Sequence, residues 1–308
     1  MKILVTGGSG MIGHSFKNYK DCILVGSKDY DLRHYQSARH MVSRHRPDAI
    51  IHLAAKVGGV KANMENNGDF YSDNILINHN VLRCARQYDV KKVVSLMSTC
   101  VYPRVEFVNY PLTEEQIHNG PPHDSNFGYA FSKRMLDVQS RGYREQYGCN
   151  FITAIPNNLF GENDNFHLED SHVIPAMIRK VYEAKMNNTD VVLWGDGSPL
   201  REFTYSKDLA KILLFLLKNY NEKEPINVGN PHEVSIKNVA KLVAQNMNFK
   251  GNIRWDTDKP SGQFRKPSSN KKLLDLGWKN SDYTSFEKSL KKTCNWFIIN
   301  YPNIRGIT

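Results

Sequence analysis

The sequence predicts an α/β protein built on a doubly wound parallel sheet, with a smaller, irregular C-terminal lobe. Three observations carry that reading. Apolar runs rich in β-branched residues recur through the first half, each followed by a stretch of helical periodicity. The first run ends in a glycine-rich turn. Beyond Pro156 the alternation gives way to segments rich in proline, asparagine and glycine.

Strands are expected at Ile3 to Thr6, Cys22 to Val25, Ala49 to Leu53, Val93 to Met97 and Phe151 to Ile155. Runs this uniformly apolar are buried on both faces, the habit of a parallel sheet with helices on either side. Asn74 to Tyr88 and Tyr129 to Tyr147 are long enough to be crossover helices. In the second half Val191 to Trp194 and Ile226 to Val228 read as short strands, and a helix from Ser206 to Lys218 is expected to return to the main sheet.

Composition narrows the class. A chain of 308 residues with 40% hydrophobic content can bury a substantial core, so disorder is excluded as a description of the whole. No stretch reaches the roughly 18 apolar residues of a membrane span, and no apolar leader precedes the first glycines, so the expectation is a cytoplasmic protein without a membrane partner. Five scattered cysteines without a Cys-x-x-Cys pair argue against a disulfide framework and against a zinc site. The net charge of +10 favours anionic ligands, but the basic residues are dispersed without a stripe interleaved with aromatics, so no nucleic-acid partner is expected.

The first strand runs into Thr6-Gly7-Gly8-Ser9-Gly10-Met11-Ile12-Gly13. Glycines there permit a sharp turn and let backbone approach a pyrophosphate seated at a helix N-terminus, the arrangement of a Rossmann dinucleotide site. At the end of the second strand, Gly26-Ser27-Lys28 puts a hydroxyl and a cation where an acid would bind the ribose of NAD, so NADP is the expected cofactor and Lys28 the candidate for its 2′-phosphate. Asp29 and Asp31 follow closely, with turn formation or helix capping as their alternative role. On these boundaries residues 1–156, with about 204–228, form the nucleotide-binding domain, and 157–203 with 229–308 mainly the substrate lobe.

Tyr-x-x-x-Lys spacing places both side chains on one helix face. Tyr88 and Lys92 match it, but Asp89-Val90 end a helix and Lys92 opens a strand. Tyr129 and Lys133 lie within an uninterrupted helical stretch and remain the candidate pair, the ammonium being expected to lower the phenol pKa. Ser98, at the carboxyl end of the fourth strand, would share their side of the sheet, where ligands bind in such folds. A hydroxyl, a tunable phenol and a hydride carrier converging on one carbonyl make a reductase site.

At these residues the chain resembles the extended short-chain dehydrogenase/reductases. The likeness runs through Gly7 to Gly13, "HLAAKVGG" from His52, "STC" from Ser98, "NGPPHDSNFGYAFSKRM" from Asn119, "DNFHLEDSHVIP" from Asp164 and "WGDGSPLREF" from Trp194. The branch most similar inverts GDP-4-keto-6-deoxy-D-mannose at C3 and C5, then reduces C4 with NADPH to give GDP-L-fucose. The resemblance implies Ser98, Tyr129 and Lys133 for reduction, and Cys100 with His172 as the acid and base of epimerisation. It implies a cofactor held by Gly7, Gly8, Ser9, Gly10, Met11, Ile12, Gly13, Lys28, Leu53, Ala54, Ala55, Tyr129, Lys133, Pro156, Asn157, Asn158, Leu159 and His172. Lys180, Trp194, Arg201 and Lys266 match positions around the GDP-sugar, and a homodimer through the two long helices is the family expectation.

Two departures stand out. Ser9 occupies a place where bacterial relatives often carry an arginine for the 2′-phosphate, and Ser261-Gly262 replaces an Asp-Gly in the distal substrate loop. The nearest alternative is a nucleotide-sugar 4-epimerase or 4,6-dehydratase with tightly bound NAD. Dehydratases typically place Asp-Glu where this chain has Thr99-Cys100.

Overall fold

The structure is a computed structural model and describes residues 1–259 and 264–307. Its first half alternates as β1 (Ile3–Thr6), α1 (Met11–His14), β2 (Cys22–Val25), α2 (Tyr35–His45), β3 (Ala49–His52), α3 (Val60–Glu65), α4 (Asn67–Gln87), β4 (Lys92–Leu96), α5 (Phe127–Tyr147) and β5 (Phe151–Ile155). Short β6 (Asn158–Phe160), α6 (Val173–Asn187), β7 (Val191–Trp194), β8 (Leu200–Tyr205), α7 (Ser206–Asn219) and β9 (Ile226–Asn227) follow. The chain continues through β10 (Glu233–Ser235), α8 (Ile236–Asn246), β11 (Ile253–Asp256), α9 (Lys271–Asp275) and α10 (Phe286–Asn300).

Strands β2-β1-β3-β4-β5-β9 form one parallel sheet in that order. Its central strands are buried along their whole length, and alternate residues feed opposite cores as the pleat requires. Leu4, Ile50, Val93 and Phe151 pack with α2, α4 and α5 on one face. Ile3, Val5, Ile51, Val94 and Ile152 pack with Leu209, Leu213 and Leu216 of α7 on the other. Each such side chain contributes about 1.5–3 kcal/mol on leaving water. Helix 206–219 thus covers the main sheet, as its sequence pattern predicts.

Three expectations needed extension. The first crossover is a single helical turn, because β2 resumes only eleven residues after Met11 and the buried Phe16 plugs the sheet there instead. Helix α4 begins at Asn67 rather than Asn74, and α5 at Phe127 rather than Tyr129. The second half adds a sheet ordered β10-β8-β6 and a pair β11-β7, over a separate core of Phe160, Phe166, Ile178, Val239 and Phe297. Among the described residues no helix is long and apolar enough to cross a membrane.

Candidate active site

The glycine turn is wound tightly. Gly7 adopts φ +71, and a Cβ there would meet the Ala54 nitrogen at 2.9 Å; one on Gly13 would lie 2.4 Å from the Gly7 carbonyl. Gly8 N–H donates to Val25 O at 2.8 Å and Gly10 N–H to Gly7 O at 3.0 Å. A Cβ on Gly10 would meet only Gly7 O, at 3.3 Å, so the turn is uncrowded on that side and its backbone can be approached closely. A dinucleotide therefore fits this cradle. Met11 and Ile12 open α1 directly behind it.

At the β2 end, the Ser9 hydroxyl lies 2.7 Å from where a Gly26 Cβ would be, so Ser9 adjoins the turn bearing Lys28. Lys28 is exposed. Asp29 accepts from Gly26 N–H at 2.7 Å, closing the turn, and Asp31 is held at about 2 by the Arg33 guanidinium. Both aspartates thus have structural partners, the alternative role read from the sequence.

Behind the cradle runs a buried polar relay that sequence reading did not single out. Thr6 Oγ1 accepts from Leu53 and Ala54 N–H at 3.2 Å each and lies 2.8 Å from His52 Nδ1; His52 Nε2 lies 3.1 Å from Asn78 Oδ1. Asn78 Nδ2 donates to Ser132 O at 2.9 Å. One tautomer satisfies every group: Thr6 O–H donates to Nδ1 and Nε2–H to Asn78. Burial, then the Lys133 charge, pushes the imidazole pKa down to about 3, so His52 is neutral. Four residues earlier on α4, Asn74 clasps Lys56, accepting from its N–H at 2.9 Å and donating to its carbonyl at 3.0 Å. The signal was present, for asparagines at Asn74 and Asn78 share one helix face among apolar neighbours.

Ser98 and Cys100 sit in the turn that ends β4. Ser98 caps a short 3₁₀ helix, Thr99–Val101, its Oγ accepting from Cys100 N–H at 3.3 Å. Tyr129 faces this turn from α5. Its phenol is pushed above the ordinary value, first by burial and then by the nearby Cys100 charge, against a hydrogen bond to Ser98 that lowers it. This corrects the expectation that Lys133 governs the phenol. Lys133 donates instead to Leu96 O at 2.9 Å, with Nζ 5.9 Å from the Tyr129 ring centroid, and burial lowers its own pKa to about 8. A phenol that keeps its proton is a proton donor.

His172 precedes α6 and lines a cavity of about 200 Å³ with Gly59, Asn158, Leu159 and Phe203. Its edge is open to solvent, yet the surrounding protein, then the Arg305 cation, lowers its pKa. Pro156 accepts from Thr99 N–H at 3.2 Å, and Asn157 Nδ2 donates to the buried Glu202 at 3.2 Å. Glu202 also accepts from Ser268 N–H at 3.0 Å and Ser268 Oγ at 2.6 Å, so the segment carrying Lys266 is tied to the cofactor-side loop. Lys180 stands 6.0 Å over the exposed Trp194 ring, and Arg201 donates to Leu200 O at 2.7 Å.

The structure thus groups Ser98, Cys100, Tyr129, Lys133 and Lys266 around one turn, gathers Gly7 to Gly13 with Leu53 and Ala54, and sets His172 beside Asn158 and Leu159. Lys28 stands apart on its exposed turn, and Ser261-Gly262 lies outside the described residues. A wider groove of about 610 Å³ between α8 and β11 contains none of the candidate residues.

Fold and site together define a nucleotide-dependent reductase of the extended short-chain type. Residues 3–229 match the NAD dependent epimerase/dehydratase family. The chain is 45% identical to a GDP-L-fucose synthase of Dictyostelium discoideum, over 98% of this chain and 97% of that one, and 40% identical to a probable GDP-L-fucose synthase of Drosophila melanogaster, over 99% of each. It superposes with a TM-score of 0.93 on the crystal structure of a GDP-L-fucose synthetase from Naegleria fowleri bound to NADP, at 43% identity, covering 98% of this chain and 94% of that one. The chain therefore belongs to the NAD dependent epimerase/dehydratase family, in its GDP-L-fucose synthase branch.

Proposed function

We propose that this chain converts GDP-4-keto-6-deoxy-D-mannose to GDP-L-fucose, epimerising C3 and C5 and then reducing C4, with NADPH as cofactor. The observation that carries the reading is a thiol, Cys100, in the same turn as Ser98 and facing Tyr129, in a chain similar along its whole length to GDP-L-fucose synthases. When bound, NADPH supplies the hydride for C4. Gly7 to Gly13, with Leu53 to Ala55, hold its pyrophosphate side, Lys28 and Ser9 the 2′-phosphate, and Lys133 with Pro156 to Leu159 the nicotinamide side.

Ser98 and Tyr129 hold the 4-keto oxygen, and Tyr129 gives it a proton as C4 is reduced. That carbonyl acidifies C3–H and C5–H. Cys100 takes the proton from one face, the electron pair passes into the enolate on O4, and His172 returns a proton on the other face. Lys180, Trp194, Arg201 and Lys266 bind the GDP-sugar, pairing cations with the diphosphate and an aromatic plane with a ring. The lobe of residues 157–203 and 229–308 carries most of these groups, and 1–156 with about 204–228 the cofactor.

The second copy of a homodimer docks on α4 and α5, where Tyr71, Leu76, Val138 and Tyr147 leave apolar surface exposed. The test of the activity is direct. Purified protein given the 4-keto sugar must oxidise NADPH and yield GDP-L-fucose; protein that carries NAD at full occupancy, or leaves NADPH untouched, overturns the reading.

A further inference from the structure

Three carbonyl oxygens at the end of β4 and in the turn that bears Ser98 and Cys100 are each taken by a cation. Lys133 Nζ donates to Leu96 O at 2.9 Å, Arg134 Nε to Val101 O at 2.7 Å and Lys266 Nζ to Thr99 O at 3.1 Å. The first two belong to α5, which packs on β4 and β5 in any case. The third arrives from the C-terminal lobe.

Lys266 is brought there by a strap. Leu112 N–H donates to Pro267 O and Ser269 N–H to Leu112 O, both at 2.9 Å, forming an isolated parallel bridge between Leu112 and Ser268. Glu202, itself buried, grips Ser268 through both its N–H and its hydroxyl. The strap thus has two independent anchors within two residues of Lys266, which fixes where the ammonium sits.

One carbonyl is a poor reason to desolvate a cation. Burial lowers the Lys266 pKa, the Cys100 charge raises it and the Arg201 charge lowers it. The charged or titratable groups that meet this turn are Tyr129, Lys133 and Arg134 from α5 and Lys266 from the strap, with Arg201 of β8 behind Lys266. A cation beside a thiol favours its anionic form, the form that can take a proton from carbon. An ammonium has three donors, so the bond to Thr99 leaves two for an anion.

We infer that Lys266 is a positioning residue for epimerisation, the fixed counter-charge of the Cys100 thiolate, delivered by the C-terminal strap that Glu202 and Leu112 hold in place. This rests on Cys100 as the base and adds a role to Lys266 beyond GDP-sugar binding. As C3–H or C5–H breaks, its proton forms the S–H bond and its electron pair enters the enolate; the negative charge leaves sulfur for O4, and Lys266 stays protonated.

The test uses ligand-free full-length protein. Cys100 is alkylated with iodoacetamide from pH 6 to pH 10, and its rate is followed by peptide-resolved mass spectrometry, which separates it from Cys22 and Cys149. Lys266→Met is expected to slow alkylation near neutral pH roughly three- to tenfold, with rates converging on wild type at high pH, because the thiolate is the form that reacts. Lys266→Arg keeps the charge and restores the profile. Superimposable profiles for Lys266→Met and wild type overturn the inference, as does a uniform slowing at every pH, which reports access rather than charge. No GDP-sugar enters this measurement, so its result stands apart from any failure of the substrate assay.

Discussion

Two buried polar networks frame the site, and they are built differently. The relay Thr6–His52–Asn78–Ser132 lies wholly within the sheet and its helices, joins β1, β3, α4 and α5, and turns on a neutral histidine. The network Asn157–Glu202–Ser268 joins the cofactor-side loop to the C-terminal strap and turns on a carboxyl group whose pKa burial raises. The first sets the glycine cradle and the helix of Tyr129 before any ligand arrives. The second sets the substrate-side cations, so the two should fail in different ways.

The largest effect is expected where the first network aims. Tyr129→Phe removes the proton donor and should lower NADPH oxidation about 10²- to 10⁴-fold, while NADP binding by calorimetry is retained. If turnover survives, the phenol is not the donor.

Next comes the relay itself. His52→Leu leaves the Thr6 O–H donor and the Asn78 side-chain carbonyl buried without the partners His52 gave them, costing about 2–4 kcal/mol in urea unfolding. Its pH signature has a definite sign. The folded histidine titrates at about 3 against an ordinary 6.5, so between those values the unfolded chain binds the extra proton and wild-type stability falls as pH drops. The variant should lose that part of the acid slope. An unchanged slope would mean His52 is not held neutral.

A smaller, selective effect belongs to the second network. Glu202→Gln weakens its grip on Ser268 and should raise the KM for the GDP-sugar several-fold more than the KM for NADPH, measured by steady-state kinetics. Equal changes would place Glu202 in general stability instead.

The smallest lies outside both. Asp164 is buried with one oxygen unpartnered among the described residues, and burial raises its pKa from 3.8 to about 7. The unfolded chain releases this proton first, so its contribution to stability falls as pH rises through that window. Asp164→Asn should raise Tm by a few degrees at pH 8 and leave it nearly unchanged at pH 4.

The same contrast explains what the sequence made legible. Strands β1, β3, β4 and β5 were readable because burial on both faces makes them predominantly apolar. The glycine turn and Tyr129–Lys133 were readable because their spacing is local. Glu202 was not, since a carboxylate in "LREFTY" looks like the solvent face of an alternating strand until Ser268, far along the chain, is known to meet it. Lys133 lies on α5 near the Tyr129 ring, yet burial dominates the phenol, and spacing carries no information about burial.

On the proposed function two chemistries run through separable groups, Cys100 with His172 for carbon epimerisation and Ser98, Tyr129 and Lys133 for reduction. The most direct measurement follows deuterium uptake from heavy water at C3 and C5 by NMR in wild type and Cys100→Ser, beside NADPH oxidation with a pre-epimerised 4-keto sugar. Exchange at both carbons should collapse in the variant while hydride transfer to the pre-epimerised sugar largely survives. An equal fall in both would mean that Cys100 is not a dedicated base of epimerisation.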